Sequence, residues 1–178
     1  MNELEFKNFF CLLVAAGNDT TRYSIAMALS LLAYNPDLIS QLKTGKYWDS
    51  CADEFIRLAS PTMHFRRTAV QDCEMHGQKI RAGDKVLLWF VSGSRDEAVF
   101  ENPNDCLLGR SPNRHLAFGQ GGIHVCLGMH LAKLEVRIVI EELIRRVATF
   151  QAAAAPTWTR SNFICGVKQQ RVRVTKAV

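Results

Sequence analysis

The chain has 178 residues, a mass of 20.0 kDa, 48% hydrophobic and 22% charged residues, and a formal net charge of +5. This composition is ordinary for a globular domain and excludes an intrinsically disordered chain. The basic residues are scattered and no nucleic-acid-binding motif is present, so we expect a solvated basic surface and no nucleic-acid partner.

The cysteines and the N-terminal residues indicate the compartment. The six cysteines include no CxxC pair and no close Cys/His cluster, which argues against a zinc site and against a secreted disulfide framework. The N-terminal segment carries acids where a signal peptide would carry bases, and its apolar run from Phe9 to Ala16 is too short to cross a bilayer. We therefore predict a soluble, cytoplasmic protein with no membrane segment.

The first predicted element is a long helix over residues 1–34. Its apolar residues recur at intervals of three and four, and they are numerous enough that the helix should be largely buried. In its middle stands AGNDTT, residues 16–21, whose glycine, Asn-Asp pair and threonines are poor helix formers. We expect a distorted, widened turn there, with threonine hydroxyls bonded to the preceding turn. An ordinary solvent-facing polar patch is the alternative.

The rest of the chain predicts a mainly α protein with small antiparallel β-sheets, of the α+β class. The pattern changes to short β-prone runs after Met63, and Asn, Gly, Pro and Ser are dense through residues 101–125. After the first helix, the predicted segments are short helices at 35–60, a β-rich segment at 61–92, a long loop at 101–128, a second long helix at 126–150 and a C-terminal β-hairpin at 156–178.

Glu54 and Arg57 form an ExxR motif in the segment of short helices. At this spacing the carboxylate and the guanidinium can meet on one face of a helix. Most such pairs are surface ion pairs that contribute little to stability, and the motif alone indicates no more than that.

The stretch FGQGGIHVCLG, residues 118–128, leads into the second long helix. A thiol at a helix N-terminus faces free backbone N–H groups, which favour the thiolate, and the preceding glycines let further N–H groups approach. Cys126 is therefore a candidate nucleophile or metal ligand, although for an isolated cysteine a small buried core residue is the favoured interpretation. The glycines fit neither GxGxxG nor GxxxxGK, so phosphate binding is not indicated.

The three motifs together resemble the cytochrome P450 family. AGNDTT on a long helix, then ExxR, then FGxG…HxCLG before a further helix occur in this order in that family, and the sequence is similar to its bacterial members. The resemblance extends to SPTMHFRRTA, SRDEAVF, SPNRHLAFG, LGMHLAKLEVRIVIEELIRR and RSNFICGV, so it covers nearly all of the chain. It implies the C-terminal portion of the P450 fold and a haem-thiolate monooxygenase, which inserts one atom of O2 into a C–H bond of a small apolar substrate.

The resemblance also implies a role for each matching residue. Cys126 would be the thiolate ligand of the iron of haem b, and His124 and Arg67 would pair with the haem propionates. Asp19 and Thr20 would form the acid–alcohol pair that relays protons to dioxygen. The remaining implied positions are the haem-loop residues Phe118, Gly119, Gly122 and Gly128, the groove residues Ala16 and Gly17, and the structural pair of Glu54 and Arg57, which would hold the loop that carries Cys126.

The family reaction implies electron donors. Electrons would come from NAD(P)H through a reductase and a ferredoxin-type partner. Arg110, Arg114 and Lys133 flank the predicted proximal surface and could contact an acidic ferredoxin, although a solvated face is an equal alternative.

The sequence departs from the family pattern in three places. One extra residue lies between Phe118 and His124, so we expect an altered haem loop. Cys106 stands where the family usually has Phe, and Asp105 occupies a position often held by an arginine that joins the Glu-Arg pair, so we expect a weaker network. Family members are more than twice as long, so we expect a truncated chain that exposes apolar surface, self-associates and is inactive alone.

Two other functional classes are compatible with the motifs. A haem-binding gas or redox sensor would need Cys126 but no proton relay, and the Asp19-Thr20 pair argues against it. A non-catalytic gene remnant is favoured by the length of the chain and opposed by its intact motifs.

Overall fold

A computed structural model describes residues 1–177 and contains five helices and eight strands in that range. The strands form four separate two-stranded antiparallel sheets, so the predicted α+β class with small antiparallel sheets is confirmed. The helices are α1 Glu3–Tyr34, α2 Pro36–Lys43, α3 Cys51–Ala59, α4 Phe90–Gly93 and α5 Met129–Arg146. The strands are β1 His64–Thr68, β2 Cys73–Met75, β3 Gln78–Ile80, β4 Lys85–Trp89, β5 Val147–Ala152, β6 Thr157–Trp158, β7 Val167–Gln169 and β8 Val172–Lys176.

Helix α1 is uninterrupted through residues 16–21, so the expectation of a widened turn is wrong. Thr20 does bond back to the preceding turn: its hydroxyl donates to the carbonyl oxygen of Ala16 at 2.7 Å. That bond satisfies the hydroxyl without opening the backbone, since a threonine can make it within a regular helix.

The expectation that α1 is largely buried is wrong for its first half. Leu12 and Phe10 are 63% and 57% exposed, and the first buried residue of the helix is Thr21. From there to its end, α1 packs against α3, α5 and β5. The first half stays exposed because the other elements of residues 1–177 cover only the second half.

The hydrophobic core lies where the second half of α1 meets α2, α3 and α5. Its fully or nearly fully buried side chains include Ala28, Leu32, Leu42, Phe55, Ile56, Leu108, Val136, Ile140 and Phe150. Leu108 belongs to the long loop, so the same core that joins the helices also fixes the loop that leads to Cys126. This arrangement sets the site on the α3–α5 side of the molecule.

Three predicted segment boundaries are corrected by the structure. The helix expected at 126–150 covers only Met129–Arg146, because Leu127 and Gly128 lie in a turn and the β-prone residues after Arg146 form β5. The hairpin expected at 156–178 consists of β6 paired with β7, whereas β8 pairs with β5. The β-rich segment expected at 61–92 ends at Trp89, and α4 begins at the next residue, Phe90. Val178 lies outside the described residues.

The β6–β7 pairing brings Gly166 against α1. The position that a Cβ on Gly166 would take is already occupied by the ring of Tyr23, so a side chain there would displace the ring. The Tyr23 hydroxyl also accepts a hydrogen bond from Thr159 at 3.2 Å. A C-terminal turn is thus anchored to the middle of α1. None of the helices in residues 1–177 is long and apolar enough to span a bilayer.

Candidate functional site

Cys126 lies at the end of a loop that closes on itself. Its backbone N–H donates to the carbonyl oxygen of Phe118 at 2.9 Å, and its own carbonyl accepts from Met129 at 3.3 Å, at the start of α5. The Cys126 residue is exposed, and so are its neighbours Ile123 and Leu127. The loop therefore presents a thiol within an apolar surface.

Glycines give the loop its shape in the stretch where the sequence predicts one extra residue. Gly119, Gly121 and Gly122 have φ angles of 70°, 72° and 102°, which residues with a Cβ rarely adopt. The backbone thus takes a left-handed conformation at three of the four residues from 119 to 122. The Phe118–Cys126 hydrogen bond still forms.

The carboxylate of Glu54 is fully buried and is the centre of a hydrogen-bond network between α3 and the long loop. Arg57 donates to it from Nε and Nη2 at 2.9 and 2.8 Å, and both side chains are 0% exposed. Arg57 also donates to the carbonyl oxygens of Ser94, Pro103 and Asp105. The pair is therefore a buried junction between α3 and the long loop, and the surface-pair alternative is excluded.

Arg110 and Asn113 complete this network, and sequence reasoning missed both. Arg110 Nε lies 3.0 Å from Glu54 Oε2, and Asn113 Nδ2 donates to the same oxygen at 3.1 Å. The second arginine of the network thus comes from position 110, and Asp105 contributes only its backbone carbonyl. A buried carboxylate needs several donors, but sequence spacing does not say which loop residues supply them.

Charge neutralisation explains the titration behaviour of the network. Burial raises the pKa of Glu54, but hydrogen bonds from Arg57 and the Leu107 N–H, with the charges of Arg57 and Arg110, outweigh it and hold the pKa below its ordinary value. Glu54 is thus a carboxylate with its acceptor positions filled. It is a structural group with no free oxygen to offer a substrate.

The Arg110 finding also changes the predicted ferredoxin surface. The Arg110 side chain is only 7% exposed, and Lys133 is tied to Asp53 at 2.7 Å. Arg114 is exposed and forms no ion pair within residues 1–177. Two of the three predicted contact residues are therefore occupied by internal partners.

Asp19 and Thr20 lie on the part of α1 where burial begins, but their side chains have separate partners. Asp19 Oδ1 accepts from Arg22 at 2.6 Å on the exposed surface, and the Thr20 hydroxyl donates to Ala16. Gly17 has no atom within 4 Å of the position of a Cβ, so the space beside it is open. A cleft lined by Gly17 and by Glu135 lies between α1 and α5.

The two residues predicted to meet carboxylates are both exposed. Arg67 lies on β1 opposite Val86, and its Nη1 donates to the carbonyl of Arg66 at 3.1 Å. His124 lies in the glycine loop, two residues before Cys126. Both side chains are free to meet an anionic group.

Three of the other cysteines, Cys51, Cys106 and Cys165, are buried or half-buried, unlike Cys126. Burial raises the pKa of Cys51 to about 11 and that of Cys106 to about 12, so these thiols stay protonated. No group of three His, Cys, Asp or Glu side chains suited to a metal ion occurs in the described part of the chain. A metal held by one thiol alone must bring its other ligands with it, as the iron of a haem does.

The surroundings of Cys126 fit a haem. The exposed thiol supplies an axial ligand, the apolar residues beside it match the apolar faces of a porphyrin, and Arg67 and His124 match its carboxylates. The open space at Gly17 leaves room beside α1. No residue in this set conflicts with such a group.

Comparison with known proteins identifies the family. The sequence model of cytochrome P450 matches residues 1–157. The chain belongs to the cytochrome P450 family. Members of this family generally carry haem and receive electrons from redox partners.

Individual P450 relatives match the chain over nearly its full length. The methyl-branched lipid omega-hydroxylase of Mycobacterium tuberculosis is 40% identical, over 94% of this chain and 40% of that protein. Linalool 8-monooxygenase of Pseudomonas putida is 39% identical, over 94% of this chain and 41% of that protein. The crystal structure of CYP108D1 from Novosphingobium aromaticivorans has a TM-score of 0.88 and 40% identity, and the match covers 95% of this chain and 41% of that one. The chain thus spans about 40% of the length of the curated relatives it matches.

Proposed function

We propose that the chain is the haem-ligating portion of a bacterial cytochrome P450 monooxygenase, which inserts one atom of O2 into a C–H bond of a small apolar substrate. The observation that carries this proposal is the exposed Cys126 thiol on a glycine loop closed by the Phe118–Cys126 hydrogen bond. The buried Glu54–Arg57–Arg110 network fixes residues 103–113, which precede this loop in the chain. A loop fixed by several surrounding contacts that presents one thiol is typical of a ligand site.

When bound, haem b would supply the activation of dioxygen. Cys126 would supply the thiolate that binds its iron, His124 and Arg67 would pair with its propionates, and Phe118, Gly119, Gly122 and Gly128 would shape the loop that holds it. Ala16 and Gly17 would line the groove on the opposite side. The lack of a Cβ at Gly17 keeps that groove open.

Asp19 and Thr20 would hold and pass the protons that the reaction consumes. In this structure Asp19 Oδ1 is taken by Arg22, so Oδ2 is the free oxygen. Thr20 Oγ1 donates to Ala16 and can still accept a hydrogen bond. To pass a proton onward, the hydroxyl must rotate away from Ala16, and this rotation is the step that the two residues would control.

The substrate class and the partners follow from the relatives. Two of them are named for a methyl-branched lipid and for linalool, both of which are apolar, so we assign a small apolar substrate to this chain as well. Electrons would reach it from NAD(P)H through a ferredoxin-type donor and its reductase, with the exposed Arg114 available for an acidic surface. The cytoplasmic location stays a prediction.

The ligand assignment is tested by the spectrum of the reduced, carbon monoxide-bound protein with haem supplied. The chain should give the red-shifted band of a thiolate-ligated haem, and Cys126→Ser should lose it. Cys73→Ser, which removes another exposed thiol, is the matched control and should keep the band. A band that survives in Cys126→Ser would end the assignment.

A haem-binding protein without oxygenase activity is the second candidate, and a non-catalytic remnant would behave alike. It is favoured by the exposure of the α1 surface that carries Asp19. The candidates separate in Thr20→Ala made in a chain completed with the segments that its longer relatives have, with reductase and ferredoxin supplied. A monooxygenase should keep its haem but divert electrons to hydrogen peroxide, whereas Thr20→Ser should resemble the unchanged chain. Equal peroxide yields in all three would favour the second candidate.

A further inference from the structure

A second polar cluster lies directly behind the Cys126 loop, separate from the Glu54 network. It consists of Asp53 on α3, His115 in the long loop and Lys133 on α5. The three side chains border an open cleft that the loop residues Phe118, Gly119 and Val125 also line. The cluster thus touches every element that meets at the loop.

The His115 ring is held by two different contacts. It is 4% exposed, and its Nδ1 accepts from the Ala117 N–H at 3.3 Å. With Nδ1 as the acceptor, Nε2 carries the proton and donates to Asp53 Oδ1 at 3.1 Å. One backbone contact and one carboxylate therefore fix the orientation of the ring.

Lys133 joins the cluster from the helix that follows Cys126. Its Nζ lies 2.7 Å from the same Asp53 Oδ1 that accepts from His115. Burial raises the pKa of Asp53, but the hydrogen bonds from His115 and Lys133 outweigh it and hold the pKa below its ordinary value. Asp53 is thus an anion that ties the loop and α5 to α3.

The cluster reaches Cys126 through Phe118. The Phe118 ring lies 5.5 Å from the His115 ring and 5.7 Å from Lys133 Nζ, measured to ring centroids. The Phe118 carbonyl accepts the Cys126 N–H, and Gln120 Nε2 donates to the His115 carbonyl at 2.9 Å. Both ends of the glycine loop are therefore attached to groups that the cluster orients.

We propose that Asp53, His115 and Lys133 are positioning residues that hold the Phe118–Cys126 loop in its closed form independently of haem. Asp53 and Glu54 are neighbours on α3 and divide the work: Glu54 fixes residues 103–113, and Asp53 fixes residues 115–120 and α5. A glycine-rich loop has a large conformational entropy to lose, so it needs such external contacts. The inference rests on the proposed function only for its consequence, which is that the thiol is presented ready for an axial ligand position.

The primary test measures amide hydrogen exchange of Cys126 in the haem-free chain. Asp53→Ala should speed this exchange about tenfold, because the loop opens more often while the core stays closed. The matched control is Asp49→Ala, since Asp49 also bridges to α5, through Arg137 at 3.1 Å, but lies away from the loop. The control should leave Cys126 exchange unchanged.

Asp53→Ala could speed exchange simply by destabilising the whole fold. Lys133 variants are a milder change that tests the same cluster. Lys133→Met keeps the aliphatic stem and removes the charge, so it should speed Cys126 exchange without affecting the amide of the core residue Leu32. Lys133→Arg should restore slow exchange. Unchanged Cys126 exchange in Lys133→Met would overturn the proposal.

A spectroscopic measurement tests whether the cluster also affects binding of haem iron by Cys126. With haem supplied, Asp53→Ala should lower the share of thiolate-ligated carbon monoxide complex relative to Asp49→Ala. Equal shares in the two variants would contradict the positioning role. A chain that gives no thiolate spectrum at all would count against the proposed function alone, because the exchange measurement needs no haem.

Discussion

Glu54 stands out at the scale of the residue because it is an ionised group with no access to water. Its two oxygens accept from Arg57, Arg110, Asn113 and the Leu107 N–H. Burying a carboxylate is expensive unless each acceptor position is filled, and here the donors come from two separate stretches of chain. The hydrogen bonds and ion pairs of Glu54 therefore hold the long loop against α3.

Removal of this carboxylate should be severely destabilising. Glu54→Ala leaves the Arg57 guanidinium buried without its counter-ion, which costs about 3–5 kcal/mol in the free energy of unfolding. Urea unfolding at neutral pH measures the difference. Glu142→Ala is the control, because Glu142 bridges Arg145 and Arg146 on an exposed face and such pairs contribute little. Equal losses in the two variants would show that burial of the network does not matter.

The same residue sets the direction of the pH dependence. Its pKa in the folded chain lies below the ordinary value of 4.5, so the unfolded chain takes up the proton first as the pH falls. The stabilisation by Glu54 is complete above that ordinary value and is lost as the pH falls through the folded-state pKa. The stability gap between the unchanged chain and Glu54→Ala should therefore narrow on acidification, and a gap that widens would contradict the assignment.

At the scale of the element, the glycine loop is the part whose backbone is least tolerant of substitution. Gly122→Ala places a Cβ at a φ of 102°, and the left-handed conformation costs about 1–2 kcal/mol. The melting temperature of the haem-free chain should fall accordingly. Gly128→Ala is the comparison, since Gly128 has a φ of −85° and no atom within 4 Å of its Cβ position. A larger loss at 128 than at 122 would mean that the loop is not held in this conformation.

Sequence patterns predicted the fold class and the family but not where each element stops. The apolar period of α5 runs on beyond Arg146, yet Val147 leaves the helix because it can pair with Lys176, a partner that no local pattern identifies. Arg110 was missed for a similar reason, since its role depends on a carboxylate that is distant in sequence and close in space. Motifs carry local chemistry, whereas long-range pairing is decided by which elements meet.

At the scale of the whole molecule, the exposed first half of α1 dominates the surface. The Phe6 and Phe10 rings stack on each other with centroids 6.4 Å apart, and Leu4, Leu12, Leu13 and Val14 are exposed around them. An apolar patch of more than about a few hundred Å² on a soluble chain promotes association. This apolar surface is therefore the part of the chain that most needs to be covered by other protein segments.

The isolated chain should consequently self-associate or bind a hydrophobic dye. Replacing Phe10 and Leu13 with Gln should reduce both effects, as measured by light scattering and by dye fluorescence. Val70→Gln is the control, because Val70 is 93% exposed between β1 and β2, away from α1. A monodisperse monomer that binds no dye would contradict the prediction.

Helix α1 is continuous, but its two halves are stabilised by different interactions. The half after Thr20 is fastened to the core and to Gly166 through Tyr23, and its amides can open only when tertiary packing opens. The half before it depends on helix propensity, an N-terminal capping box and pairs such as Glu3–Lys7, which sustain a helix only marginally. The 32-residue helix thus has a less stable first half and a more stable second half, with the change near Thr21. Limited proteolysis should detect this boundary. A protease that cleaves after lysine and arginine should cut after Lys7 and leave the bond after Arg22 intact.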